Sequence, residues 1–382
     1  MIKPAPKKPL LKLSRLAAAK RGATAGTIAL SATALLLSGC GTPPSAAAAG
    51  DSNSAGASDY LGCIVSDSGG FDDQSFNQSS YEGLKKTVAD LGIKMKEAES
   101  TTKADFEPNL NQMSNAGCNL TFSVGFLLKD ATETVAKKDT KGHFATIDDN
   151  EISLPNVKPV VYDTAQAAFL AGYAAAAQSK TGKVGTFGGI NIPTVTVFMD
   201  GFADGVKYFN EKKGKSVKLL GWDKATQQGV FANTFDVIQE GTKATNNLLG
   251  EGADVIMPVA GPLGQGAGDA ILAANKAGKD AKLVWVDSDG YLTAPAYKSI
   301  LLTSVMKKMG DAVESIVKDD KAGKFDPTPY IGTLENDGVA LAPFHDLDSA
   351  VSADTKSELD AIKKDIISGA LKVESKASPK TK

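Results

Sequence analysis

Between Asp67 and Asn77 the sequence reads Asp-Ser-Gly-Gly-Phe-Asp-Asp-Gln-Ser-Phe-Asn, which puts three carboxylates (Asp67, Asp72, Asp73), a ring (Phe76) and an amide (Asn77) in one turn. Carboxylates accept hydrogen bonds and an amide both accepts and donates them, so with an aromatic face alongside the set suits a flat, hydrogen-bonding small molecule. The same residues also read as plain architecture. Asp73 or Ser75 caps the helix that follows, Gly69 and Gly70 make the turn, and Phe76 staples the helix to a core. On residue types alone the two readings carry equal weight.

Two further stretches bear chemistry. From Asp254 to Gly268 an apolar run passes into a glycine-rich turn at a helix start, where backbone N–H groups can approach a ligand. It lacks the Gly-Lys-Ser/Thr of a P-loop, and a simple tight turn fits it equally well. Trp285-Val286-Asp287-Ser288-Asp289 sets two acids just past another apolar run. A carboxylate there accepts both hydroxyl protons of a vicinal diol; a helix cap or hinge turn is the plainer reading. Lys307 and Lys308, by themselves, read as the solvated start of a helix.

Catalysis is disfavoured by the inventory. The only histidines are His143 and His345, and no His-Glu-x-x-His, Gly-x-Ser-x-Gly or reactive-cysteine pattern occurs. A calcium-dependent nucleoside hydrolase would need Asp-x-Asp-x-Gly-x-Asp-Asp, and ending that pattern on Asp72-Asp73 leaves Ser66 and Ser68 at the first two carboxylate positions. Oxygen-ligated cations need those charges. No catalytic residue, metal site or cofactor is expected.

The elements that must position these residues alternate. Strands are expected at Leu61 to Val65, Ile93 to Ala98, Leu120 to Val124, Phe144 to Ile147 and Val157 to Tyr162, with helices at Asn77 to Leu91, Asp105 to Ala116 and Lys129 to Lys137. A second set follows: helix Ala165 to Ser179, strand Lys183 to Phe187, helix Val195 to Glu211, strand Val217 to Gly221, helix Phe235 to Leu249, strand Asp254 to Val259, helix Gly266 to Ala277 and strand Lys282 to Val286. The last part adds strand Ser299 to Thr303 and helices Met306 to Lys318 and Lys356 to Ile367. Such alternation implies α/β architecture with parallel sheets, here in two tandem blocks with a cleft between them. Ligands of open parallel sheets bind at the carboxyl ends of strands.

Residues Met1 to Arg21 carry seven Lys/Arg and no acid, and Gly22 to Gly39 is an uncharged stretch of small residues and leucine. This reads as a secretory leader (1–39), its apolar part falling short of the roughly 20 residues of a membrane span. Leu37-Ser38-Gly39-Cys40 resembles a bacterial lipobox, in which Cys40 becomes the lipidated first residue. The Ala/Ser/Gly/Pro-rich segment 40–58 is a flexible tether, which puts the folded part on the outer face of the cell membrane. Removing the seven leader cations from 42 Lys+Arg leaves 35 against 44 acids, a net charge near −9 that argues against nucleic-acid binding. The remaining length suits two domains at roughly 100 to 200 residues each. Cys63 and Cys118 stand at predicted strand starts in an oxidising compartment, as a disulfide or as two buried thiols.

The turn's Asp-x-Gly-Gly-x-x-Asp-x-Ser-Phe-Asn-Gln (Asp67 to Gln78) followed by Glu82-Gly83-Leu84 resembles the signature of the basic membrane protein family. These are lipoprotein substrate-binding proteins of ABC importers that include purine nucleoside receptors. Ala260-Gly261-Pro-Leu-Gly-Gln-Gly266, Val286-Asp287-Ser-Asp289 and Thr303-Ser-Val-Met-Lys307 match three more of its motifs in order. The resemblance implies a type I periplasmic-binding-protein fold of two Rossmann-like lobes, with crossings near Asp163, Ser288 and Pro329. Lobe I would be 59–163 plus 289–329, lobe II 164–288 plus 330–373, and 374–382 a disordered tail. It also implies a site: Phe76 and Phe235 stacking a base, Asp67, Asn77 and Asp148 reading its edge, and Gly261, Asp287 and Lys307 holding a ribose. Asp149 is an alternative to Asp148, and at Phe235 the family's Asp-Pro is replaced by Val237-Ile238. The expected partners are a nucleoside, ABC permease subunits and the bilayer through Cys40, with the protein a monomer. A sugar or furanoside ligand, or a sensor role without transport, are the alternatives.

Overall fold

Val255-Ile-Met-Pro-Val259 and Lys282–Asp287 are buried at every position, as strands inside a helix-covered parallel sheet are. The structure, a computed structural model, describes residues 59–380. The leader, Cys40 and the tether lie outside the described residues. Two six-stranded sheets are built. In the first, the strand order is Tyr330–Gly332, Val157–Tyr162, His143–Ile147, Leu120–Val124, Leu61–Ser66 and Lys94–Ala98, all parallel. In the second it is Val339–Leu341, Leu301–Lys307, Lys282–Asp287, Val255–Val259, Lys183–Gly188 and Lys218–Leu220, parallel except for the edge strand Val339–Leu341. Helices cover both, and each sheet with its helices is one lobe.

The chain passes from the first sheet to the second after Tyr162, back after Lys307, and over again after Gly332. The second of these differs from the crossing expected near Ser288. Leu301–Lys307 pairs in parallel with Lys282–Asp287 and antiparallel with Val339–Leu341. Only a short helix, Gly290–Thr293, and the turn Pro295–Ile300 separate the two parallel neighbours. Segment 289–307 therefore belongs to lobe II, and strand Tyr330–Gly332 to lobe I. For the same reason the strand expected at Ser299 to Thr303 runs on through Lys307, and the helix expected from Met306 begins at Met309.

Cys63 and Cys118 are joined, with Cα atoms 5.9 Å apart. The bridged residues are 55 apart in sequence, and in the chain-entropy picture closing a loop of that many residues contributes about 4 kcal/mol by restricting the unfolded chain. Residues 374–380, expected to be disordered, are laid along the molecule. Ser375 Oγ donates to Asp200 (2.7 Å), Ser378 Oγ donates to Asp163 (2.8 Å), and Lys224 donates to the Glu374 carbonyl. Asp200 is fully buried, and a buried carboxylate needs such donors to offset its lost hydration.

Candidate functional site

Strand ends of both sheets face one cleft, and in open parallel sheets that edge is where ligands bind. All eight residues named above as ligand contacts line it: Asp67, Phe76, Asn77, Asp148, Phe235, Gly261, Asp287 and Lys307. The first turn supplies three of them. Asp67 follows strand Leu61–Ser66 and its carboxylate lies against Gly125, where a Cβ would stand 1.9 Å from Oδ2. Gly125 also has φ +116°, so both space and backbone call for glycine. Burial holds the Asp67 carboxyl well above the usual range; a hydrogen bond from Asn77 pulls it down, and the nearby Asp73 and Asp148 add to the rise. Asn77 is buried, its Nδ2 donates to the Ser68 carbonyl (3.3 Å), and its Oδ1 has no partner among the described residues.

Asp73 is the helix cap. Its carboxylate accepts from the backbone N–H of Ser75, Asn77 and Gln78 at 2.9, 2.8 and 3.0 Å. Burial pushes its carboxyl up to about 6 against the pull of those three donors. Phe76 begins the helix Phe76–Leu91 and turns its ring to the cleft. The architectural and binding readings of this turn are thus compatible: Asp73 caps while its neighbours face the cleft.

Lys307 is the centre of the polar arrangement. It ends a buried strand rather than starting a solvated helix, and its side chain is 3% exposed. Its Nζ lies 2.6 Å from Asp148 Oδ2 and 3.3 Å from Asp287 Oδ1, which ties a carboxylate of lobe I to one of lobe II. The second contact is an ion pair without hydrogen-bond geometry, leaving Asp287 Oδ1 unbonded. Nζ also stands 4.9 Å from the Phe76 ring centre and 5.1 Å from that of Phe198, within cation–π range. Burial opposes the Lys307 charge, but Asp148 and Asp287 outweigh it and hold the ammonium above its ordinary value. Asp148 is raised by burial, with Lys307 drawing it back. Asp148 and Asp287 have φ +68° and +70°; non-glycine residues held there are uncommon and cluster at functional sites.

Phe235, the expected first residue of a helix, lies in the loop before helix Ile238–Gly250, which begins three residues later. A turn closed by Asp236 N–H donating to Thr234 Oγ1 delays the helix. The ring rests on Gly189, where a Cβ would stand 2.3 Å from it. Gly261, φ +52°, has no atom within 4 Å of where its Cβ would be.

Across the cleft the lobes touch. The Gln74 carbonyl accepts from Trp285 Nε1 (3.2 Å), Ser288 Oγ (3.0 Å) and Thr293 Oγ1 (2.7 Å). Ser75 Oγ donates to the Val286 carbonyl (2.9 Å) and to Asp287 Oδ2 (3.2 Å). Phe126, Thr194 and Phe198 also line the cleft and were missed from sequence. Phe126 follows strand Leu120–Val124, so the strand-end rule would have found it. Phe198 sits mid-helix and reads as core. Neither histidine takes part: His143 pairs with Asp320, and His345 with Asp289 at 2.8 Å. No group of three metal-ligating side chains occurs among the described residues.

Residues 62–377 match the family model described as ABC transporter substrate-binding protein PnrA-like. The chain is 32% identical, over 94% of its length and 99% of the relative's, to the ABC transporter nucleoside-binding protein BmpA of Lactococcus lactis subsp. cremoris. It is 31% identical, over 90% of its length and 96% of the relative's, to a CD4+ T-cell-stimulating antigen of Listeria innocua. Among solved structures, a solute-binding protein of an ABC transporter system from Aeropyrum pernix K1 superposes with a TM-score of 0.74. The sequences are 24% identical, covering 82% of this chain and 92% of that one.

Proposed function

The chain belongs to the PnrA-like family of ABC transporter substrate-binding proteins, and from that premise we propose that it captures a nucleoside, preferentially a purine nucleoside, and delivers it to a permease. It is a binding protein and not an enzyme. The observation that carries the reading is the convergence of Asp67, Phe76, Asn77 and Asp148 from one lobe with Phe235, Gly261, Asp287 and Lys307 from the other on a single cleft. Phe76 and Phe235 stack the base, which is worth about 1–3 kcal/mol per base. Asp67, Asn77 and Asp148 read the base edge. Asp287, with Oδ1 unbonded, takes the ribose hydroxyls beside Lys307 and the Gly261 backbone. A lipidated Cys40 holds the protein on the outer face of the cell membrane beside its permease. One chain supplies every residue of the cleft, so a monomer suffices. The relative named as a nucleoside-binding protein supports the ligand class.

The test is a thermal-shift panel of guanosine, inosine, adenosine, cytidine, uridine, free bases, ribose, glucose and galactose. Ligand at a hundredfold excess over Kd stabilises by about 2.7 kcal/mol. We expect shifts with purine nucleosides that are lost in Phe76→Ala and Asp287→Ala. Shifts with sugars alone would discard the stacked base; no shift with any member would remove the nucleoside assignment.

A further inference from the structure

Asp287, which lines the cleft from lobe II, sits in an unusual turn. Its φ is +70°, and the Ser288 N–H donates to the Val286 carbonyl at 2.9 Å, which makes Asp287 the centre of a three-residue turn. Turns of that kind with positive φ are rare and strained, and strained non-glycine backbone persists only where its surroundings hold it. The group that holds this turn comes from the opposite lobe. Ser75 is fully buried and is not part of the cleft wall. Its Oγ donates to the Val286 carbonyl that closes the turn (2.9 Å) and to Oδ2 of Asp287 itself (3.2 Å). One hydroxyl hydrogen, shared between two acceptors, thereby ties the turn's backbone to its carboxylate. Ser75 is fixed in its own place by its N–H, which donates to Asp73 Oδ1 at 2.9 Å. Lys307, on the neighbouring strand of lobe II, faces the other oxygen, Oδ1, at 3.3 Å. The two oxygens of Asp287 are therefore held from different lobes.

We propose that Ser75 is a positioning residue for sugar recognition: from across the cleft it fixes the strained turn and the orientation of Asp287, so that this carboxylate is set for the ribose hydroxyls only when the lobes meet. With the lobes apart, the Val286 carbonyl and Oδ2 both lose this donor, and the Asp287 side chain is free to turn away. Preference for a sugar bearing hydroxyls is then a property of the closed form and is shared between the lobes, although the residue that touches the sugar belongs to one of them. The proposal rests on the nucleoside reading, in which Asp287 takes the ribose hydroxyls.

The experiment is a calorimetric comparison of inosine with 2′,3′-dideoxyinosine, which lacks both ring hydroxyls of the sugar. The protein runs from residue 41 to 382, unmodified and as Ser75→Ala, Ser75→Cys and Thr293→Val. The last removes a different contact between the lobes, the Thr293 donation to the Gln74 carbonyl. We expect the unmodified protein to prefer inosine by about a hundredfold or more, since a site built for hydroxyls rejects the analogue lacking them. Ser75→Ala should cut that preference about tenfold, the scale of one hydrogen bond to a charged group. Ser75→Cys, a weaker donor of nearly the same size, should fall between. Thr293→Val should weaken both ligands and leave their ratio unchanged. The readout is a ratio of two ligands on one protein, so a general loss of stability or of closure does not imitate it. If the ratio in Ser75→Ala matches that of the unmodified protein, or falls no further than in Thr293→Val, Ser75 is only a contact between lobes and the proposal is overturned. If the unmodified protein binds both compounds equally, Asp287 does not read the sugar, and the proposal falls while the nucleoside class stands. If neither compound binds, the nucleoside reading fails and this proposal fails with it.

Discussion

The two lobes repeat a scaffold and vary its strand ends. Counted from the edge strands Tyr330–Gly332 and Val339–Leu341, Asp148 and Asp287 close the third strand in each sheet, and both adopt left-handed backbone. Yet Asp148 is held 2.6 Å from Lys307, whereas Asp287 keeps Oδ1 free of a hydrogen bond. On the fourth strands the turns place Gly125 against Gly261, and on the fifth Asp67 against Gly189. Lobe I thus presents an acid where lobe II presents a bare backbone on which Phe235 rests. The difference teaches that a duplicated architecture can vary equivalent strand ends: both lobes bring a ring and a carboxylate to the cleft, but only lobe I adds an acid and an amide from its first turn, and only lobe II adds a cation.

Lys307→Met should break this arrangement most severely. It leaves two buried carboxylates facing each other, and removing one partner of a buried ion pair typically costs about 3–5 kcal/mol. Urea denaturation would measure it. If Asp148 is the stronger partner, adding Asp148→Asn to Lys307→Met should restore more stability than adding Asp287→Asn; equal recovery would erase the distinction between them.

The acid-rich side of the cleft should also respond to pH. The Asp73 carboxyl is raised from 3.8 to about 6 in the folded protein. Between those values the folded state binds a proton that the unfolded state has released, so this group's contribution favours folding at low pH and is lost as pH rises through the window. The loss is at most about 3 kcal/mol. Asp73→Asn should have a flatter stability curve from pH 4 to 6 than the unmodified protein, and parallel curves would refute the assignment.

The smallest effect separates the paired glycines. Gly261→Ala meets no neighbour and should cost only the left-handed backbone penalty, about 1–2 kcal/mol. Gly125→Ala must displace the Asp67 carboxylate and should cost more. Thermal melts of the two variants, without ligand, would order them.

Much of this was legible because strand ends announce themselves. Apolar runs such as Val255–Val259 stop at a glycine or an acid, and in a parallel sheet those stops converge on one edge. Lys307 was misread because Met306-Lys-Lys-Met309 has helical spacing, while pairing on both sides keeps the chain extended there; only distant residues could reveal that. The position of the second crossing was hidden for a related reason, since alternation of strands and helices does not say which sheet a strand joins. Phe198 was hidden by its helix, in which an inward-facing ring looks the same whether it meets core or cleft. The course of residues 374–380 depends on buried carboxylates far away in sequence, Asp163 and Asp200, whose need for donors local composition does not reveal.

The Gln74 carbonyl gathers three donors from the opposite lobe onto a single oxygen. When the lobes part, those bonds are lost in one step, because the one acceptor moves away from all three donors together. Parting of the lobes is then a switch-like event, and its rate, more than the rate of closing, is where variation in Trp285, Ser288 or Thr293 should be felt.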